Sequence, residues 1–412
     1  PARRRSVAVV VNPSLVHPGA VTDETDEVAY FDHAASTPLR DEALQAMLPF
    51  LAGNPANPTG SHRLAREARR AVDDARDAVA ALVGAEPGEV VFTSGATEAD
   101  SLAVGGGHQV GKRILCGAVE HPAVLESALA RGGTTLDVDD AGRIDLTALE
   151  AELRRSDVAP VGFVSVMAVN NEVGTIQRVG EVAEALRRWR SDAILHVDAA
   201  QAPTWLELPV LLAGADLVSL SAHKFGGPKG IGVLVVRSGV VLRPMQVGGG
   251  QERGRRSGTP NVAAIVGMGA AAARVEAERE SVVARVARLR DRLVDGLAAR
   301  CPGMVEVGPG GRDWKVAGNG HVCFGGLASD SLLFLLDEAG IAASAASSCA
   351  SGAAAPSHVL EAMGVPAETA GGALRLTLGR DTTEADVDRA LAVIPEAVAR
   401  LGGAAFAEVS TS

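Results

Sequence analysis

The chain has 412 residues, and single hydrophobic cores seldom grow beyond about 250–300 residues, so more than one domain is expected. With 47% apolar, 22% charged and only 3% aromatic residues, it reads as a globular protein with a core of Ala, Val and Leu, which excludes a disordered chain. The net charge of -11 removes the basic face that nonspecific nucleic-acid binding needs, so no nucleic-acid partner is expected.

In chain order, Ala2-Arg3-Arg4-Arg5 precedes an apolar run, Val7 to Val11, too short for a signal-peptide core or a membrane span. A cytoplasmic protein with no membrane contact is expected. Residues 1–28 mix Arg, Pro, Asp, Glu and Thr without apolar periodicity and read as a flexible leader. From His62 to Val83, Leu64, Ala68, Ala71, Val72, Ala75, Val79 and Leu82 recur at helical steps, and Gly84 closes the run. Apolar runs at Glu89–Phe92, Arg113–Cys116, Gly162–Val169, Ile194–Val197, Leu217–Leu220 and Ile231–Val236 predict strands, with helical patterns such as Val179–Arg190 between them. Strands alternating with helices predict an α/β domain around a mostly parallel sheet, spanning 29–275.

A charged amphipathic helix over Glu276–Ala299 is predicted to bridge into a smaller α+β domain, 276–412. Its strands are expected at His321–Phe324 and Leu374–Leu378, and its helices at Ser329–Ala339 and Asp386–Leu401. Within it, Ala342–Ala355 holds only Ala, Ser, Gly and Cys. With no large side chain to anchor it, that segment is expected to be mobile. The four cysteines, Cys116, Cys301, Cys323 and Cys349, form no C-x-x-C pair, so neither a metal site nor a disulfide framework is expected.

Three segments carry chemistry. Thr93-Ser94-Gly95-Ala96-Thr97 follows a predicted strand and opens a helix, where free backbone N–H groups and the Thr97 hydroxyl suit a phosphate, although an ordinary N-cap fits the same residues. Asp198 ends an apolar strand, where ligands of open α/β sheets bind; it could cap the next helix or pair with a pyridinium nitrogen, with Gln201 three residues on. Lys224 follows the Leu217–Leu220 strand beside Ser221 and His223 and precedes a glycine-rich turn. Most lysines are solvated surface residues, but one beside a strand end can form a Schiff base with an aldehyde cofactor.

Taken together with Tyr30-Phe31-Asp32-His33-Ala34-Ala35-Ser36-Thr37, Glu120-His121, Val169-Asn170-Asn171-Glu172-Val173-Gly174, Gly254-Arg255-Arg256-Ser257-Gly258-Thr259 and Leu374-Arg375-Leu376-Thr377, these segments resemble the cysteine desulfurases of the class V aminotransferase family. The resemblance implies a fold type I pyridoxal-phosphate (PLP) enzyme, with a large seven-stranded mixed-sheet α/β domain and a smaller domain made from both chain ends. It implies that Lys224 holds the cofactor, that Asp198 pairs with its ring nitrogen, and that His121 stacks on the ring and shuttles protons. Ala96, Thr97, Ser221 and His223 would hold the phosphate, with Thr259 from the neighbouring subunit of a homodimer. Asn171 and Gln201 would touch the substrate or the ring hydroxyl, and Arg375 would clamp the substrate carboxylate.

The resemblance further implies that L-cysteine becomes L-alanine while its sulfur passes to Cys349 as a persulfide and then to an acceptor protein. A bland role stays open for each residue taken alone: His121 as a cap, Arg375 as a strand-end arginine, Cys349 as a small core residue. Alternatives in function are a selenocysteine lyase, another carbon–sulfur lyase, or a sulfur-relay subunit without turnover. This chain also carries Ser101 where the family commonly shows Asn.

Overall fold

A computed structural model describes residues 28–345 and 357–409. The expected leader up to residue 27, and Cys349 with most of the small-residue segment around it, lie outside the described residues.

The chain is α/β. A seven-stranded sheet runs in the order Val90–Thr93, Gly232–Val236, Leu217–Ser221, Ile194–Asp198, Val161–Ser165, Arg113–Gly117 and Thr134–Leu136. Gly232–Val236 is antiparallel to both neighbours and the other pairings are parallel, so the sheet is mixed. Its central strands are buried along their length, as expected where helices cover both faces. A three-stranded antiparallel sheet, Ala373–Thr377, Asn319–Phe324 and Met304–Glu306, stands apart from it. The short strands Ala29–Tyr30 and Ile341–Ala342 pair in parallel beside it.

The Arg63–Val83 helix matches its sequence signal. His62 accepts from Ala65 N at its start, and Gly84 closes it with φ +61, a conformation that costs glycine nothing. Three expectations need correction. The helix expected from Glu276 begins at Val262 and runs to Arg300; its opening stretch, Val262 to Ala273, is Ala- and Gly-rich and uncharged, and has no polar face for periodicity to detect. Ala264, Ile265, Met268 and Val275 pack into the core of the large sheet, while Val286, Leu293 and Leu297 pack into a second core with Ala29, Phe31, Val322 and Leu374. One helix therefore serves two cores, and replacing such a buried leucine by alanine costs about 2–5 kcal/mol.

The strand expected over Gly162–Val169 ends at Ser165, beyond which the backbone turns to serve the site. The edge strand Thr134–Leu136 was not expected, since three residues after two glycines carry no alternation. The last helix, Glu384–Val409, tolerates Pro395. The Leu391 carbonyl, which proline cannot serve, accepts instead from Arg300 Nη1 at 3.0 Å. Among the described residues, no helix is long and apolar enough to cross a membrane, and no group of three or more His, Cys, Asp or Glu is arranged to hold a metal ion.

Candidate active site

The parallel strands end on one side of the large sheet, and there a cavity of about 1,130 Å³, its open mouth included, is lined by Ala96, Thr97, His121, Asn171, Asp198, Gln201, Ser221, His223 and Lys224. Nine of the expected residues thus come together from five separate stretches of chain.

Lys224 is placed by a tight turn after Leu217–Ser221. Phe225 N and Gly227 N both bond the Ala222 carbonyl, and Gly226 takes φ +87. The segment from Ala34 to Arg40 clasps this turn. Thr37 N and Oγ1 donate to the His223 carbonyl at 2.9 and 2.8 Å, and Arg40 Nε donates to the Phe225 carbonyl at 3.1 Å. Lys224 Nζ donates to the carbonyls of Ala34 (2.5 Å) and Ala35 (3.0 Å), and Gln201 Nε2 shares the Ala34 carbonyl at 2.8 Å.

The Ala96–Gly107 helix points its N-terminus at the cavity. Gly95 is its N-cap and supplies no side chain, so the first amides are left to a ligand or water. Backbone contact brings this loop to the sheet: a Cβ on Gly232 would fall 2.6 Å from Gly95 Cα, so only glycine fits there. Ser101, the departure from the usual Asn, turns away and meets Ser127 Oγ at 3.3 Å.

Asp198 is buried, and its Oδ1 accepts from Ala200 N at 2.9 Å, so it caps the following turn as well as lining the cavity. Burial raises its carboxyl, opposed by that hydrogen bond and by the charges of His121 and Lys224. His121 likewise does two things. Its Nδ1 accepts from Ala123 N at 3.1 Å as the N-cap of Pro122–Leu129, which leaves the proton of the neutral ring on Nε2. Burial holds its pKa down, with Lys224 and His358 adding to the effect and Asp198 opposing it. Burial, with Lys224 and Lys229, brings His223 down to about 4, and its Nδ1 lies 3.3 Å from Ser36 Oγ.

Two expected residues are not on this wall. Arg375 stands behind Asn171, with Nη1 donating to the Asn171 carbonyl at 3.2 Å and Nη2 paired with Asp32 at 2.8 Å. Thr259 lines a separate cleft with Ser94, Gly230, Glu252 and Arg256. Sequence reasoning gave no role to Asp32, Asp100, Glu120 or the Ala34 carbonyl. Asp100 had a usable signal, because it lies three and four residues after Thr97 and Ala96 and so shares their helix face.

The family model for aminotransferase class-V matches residues 29–390. The chain belongs to that family. Relatives of this class-V chain include an IscS-like cysteine desulfurase of Mycobacterium tuberculosis, 43% identical over 93% of this chain and 100% of that protein. The cysteine desulfurase IscS of Methanosarcina thermophila is 40% identical over 91% of this chain and 93% of its own. Among solved structures, a NifS-like protein superposes with a TM-score of 0.83 at 35% identity, covering 91% of this chain and 100% of that one.

Class-V enzymes depend on pyridoxal phosphate. The cavity suits that group on its own terms. A primary amine, a buried carboxylate 26 residues before it, and an uncapped helix start beside the Ser221 and Thr97 hydroxyls match an aldehyde, a ring nitrogen and a phosphate.

Proposed function

We propose that this class-V chain is a cysteine desulfurase, converting L-cysteine to L-alanine and passing the sulfur through Cys349 to an acceptor protein. The observation that carries the reading is that Lys224 and Asp198 line one cavity with the uncapped start of the Ala96–Gly107 helix.

In this reading Lys224 would hold the cofactor through its aldehyde carbon and Asp198 would pair with the ring nitrogen. Ala96, Thr97, Ser221 and His223 hold the phosphate, Gln201 the ring hydroxyl, and His121 lies against the ring. The bound cofactor supplies an electron sink for the bond-breaking at the substrate's carbons. Asn171 and Arg375 orient the substrate carboxylate, a task for which a planar guanidinium is suited. Lys224 Nζ would take the substrate's Cα proton and return it to Cα once the carbon–sulfur bond is broken. His121 Nε2–H stands as a proton donor on the other side of the exchange.

The Cys349 thiolate attacks the substrate sulfur. The carbon–sulfur bond breaks with its electron pair left on carbon, which takes a proton to become the methyl of alanine, while sulfur stays on Cys349 as a persulfide. No outside oxidant or reductant is needed. The nucleophile must be a thiolate, and the other three cysteines suit this poorly. Burial pushes Cys116 and Cys323 up to about 12 and raises Cys301 as well.

The reading extends to a homodimer, in which Thr259 of one copy completes the phosphate site of the other. Supporting this, the segment before Thr259 is tied to the cofactor side of the sheet. Arg76 makes a two-bond pair with Glu252, each at 2.8 Å, and Arg256 Nε reaches Glu98 at 2.7 Å, next to Thr97. Val241, Met245 and Val247 are exposed nearby. The domain division near residue 275 and a cytoplasmic location belong to the same proposal. The test is incubation with L-cysteine, with alanine and sulfide assayed and the protein weighed for one added sulfur on Cys349. Alanine without an enzyme persulfide would reject the sulfur route.

A further inference from the structure

Among the residues lining the cavity is a buried carboxyl that the mechanism does not use, Asp100. Asp100 is fully buried, and neither of its carboxylate oxygens meets a donor in hydrogen-bonding geometry, since the neighbouring Ser219 hydroxyl is engaged with His196 Nε2 at 2.9 Å. The nearest basic atom is His196 Nε2 at 3.6 Å. That imidazole sits between two hydroxyls, with Nδ1 at 2.8 Å from Ser165 Oγ and Nε2 at 2.9 Å from Ser219 Oγ. Burial holds it down to about 3.

Two more buried carboxyls share the space. Glu120 Oε1 accepts from Met167 N at 2.5 Å while its Oε2 has no partner, and Asp198 accepts from Ala200 N. The cations facing the group are Lys224 and Lys229 on the cavity wall, and no arginine is among the residues lining it. His121 is neutral. An ionised carboxylate without donors in such a place costs several kcal/mol, and neighbouring carboxylates cannot all stay ionised. Of the three, Asp198 has both an amide donor and the fields of Lys224 and His121 in its favour, whereas Asp100 has neither.

We infer that Asp100 is kept as a neutral carboxyl and acts as a positioning residue, confining the negative charge at the cavity wall to Asp198. Burial first, then the fields of Asp198 and Glu120, push the Asp100 carboxyl upward, with only the Ser219 hydroxyl opposing. The consequence rests on the proposed pairing of Asp198 with the cofactor ring. A second anion beside Asp198 would hold the ring's proton and the lysine-bound cofactor's proton more tightly than one anion does, and a neutral Asp100 avoids this.

The test is Asp100→Asn in the cofactor-loaded enzyme. Asparagine keeps the size and neutrality of a protonated aspartate, so the pH midpoint of the lysine-bound cofactor's visible band should stay within about 0.3 unit of the wild type. Removing a true anion would lower it by about one unit or more, the usual effect of a close charge. Infrared difference spectra at neutral pH should show the carbonyl stretch of a protonated carboxyl in the wild type, moved by ¹³C labelling of aspartate side chains and absent from Asp100→Asn. A midpoint lowered by a unit, or no aspartate band in the labelled wild type, overturns the inference, and the second result needs no variant to fold. Borohydride trapping of the cofactor on Lys224 is run alongside. Its failure rejects the proposed site, while the infrared band still judges Asp100.

Discussion

Arg375 Nη2 lies 2.8 Å from Asp32 Oδ1, so the guanidinium proposed to take the substrate carboxylate already holds a carboxylate of its own chain. The arginine side chain is 6% exposed and its Nε has no partner, whereas Asp32 is 23% exposed. Asp32 therefore neutralises a nearly buried charge and fixes its orientation.

Asp32→Asn is expected to leave that charge poorly matched. Stability should fall by about 1–3 kcal/mol, below the full cost of breaking a buried pair because Asp32 is partly solvated. The KM for L-cysteine should rise severalfold with a smaller change in kcat, and Arg375→Ala should raise KM by tenfold or more. Thermal melts and steady-state kinetics decide; an Asp32→Asn enzyme with unchanged KM and Tm would show that the pair is idle.

Lys224 and Lys229 both line the cavity, which makes the site of cofactor attachment a real question. Borohydride reduction should bleach the yellow protein and leave the cofactor mass on the peptide containing Lys224. Lys224→Ala should abolish both trapping and turnover. Label on Lys229 would contradict the assignment.

Cys116 and Cys323 sit in buried strands, with their thiols pushed up to about 12, and Cys301 is buried at the end of a long helix. Replacing any of these three by serine should leave most turnover intact. Cys349→Ser should keep the cofactor and bind L-cysteine, yet form no persulfide. Mass spectrometry of the cysteine-treated protein reads this directly.

Buried histidines make the fold sensitive to acid. His196 and His321 are brought down to about 3, and His33 to about 4, each by burial first. Their folded pKa values lie below the unfolded 6.5, so the unfolded chain takes up protons first as pH falls. Stability present above pH 6.5 is lost below it, by at most about 1.4 kcal/mol per pH unit for each histidine. The raised carboxyls of Asp100, Glu120 and Asp198 work in the opposite direction, so a difference measurement is needed. His196→Asn should melt lower at neutral pH but lose less Tm than the wild type between pH 6.5 and about 5. Parallel Tm profiles would remove His196 from the acid response.

Much of this site could be read along the chain, because local chemistry put it there. A carboxylate at the end of an apolar strand, a lysine before a glycine turn and a glycine-capped helix start are each set by a few neighbouring residues, and Asp198, Lys224 and Thr97 stand where those patterns put them. The α/β alternation and most strands followed from the same short-range periodicity. Contacts between distant parts of the chain left no such mark. Nothing in the run from Tyr30 to Thr37 announces that the Ala34 carbonyl will receive Lys224 Nζ from 190 residues away, or that Asp32 will pair with Arg375 across 343. Nor does any local signal show that Asp100, Glu120 and Asp198 share one buried space, since burial and mutual charge act only after the helices have packed on the sheet. Periodicity reports which face of an element is covered, and only packing determines what covers it.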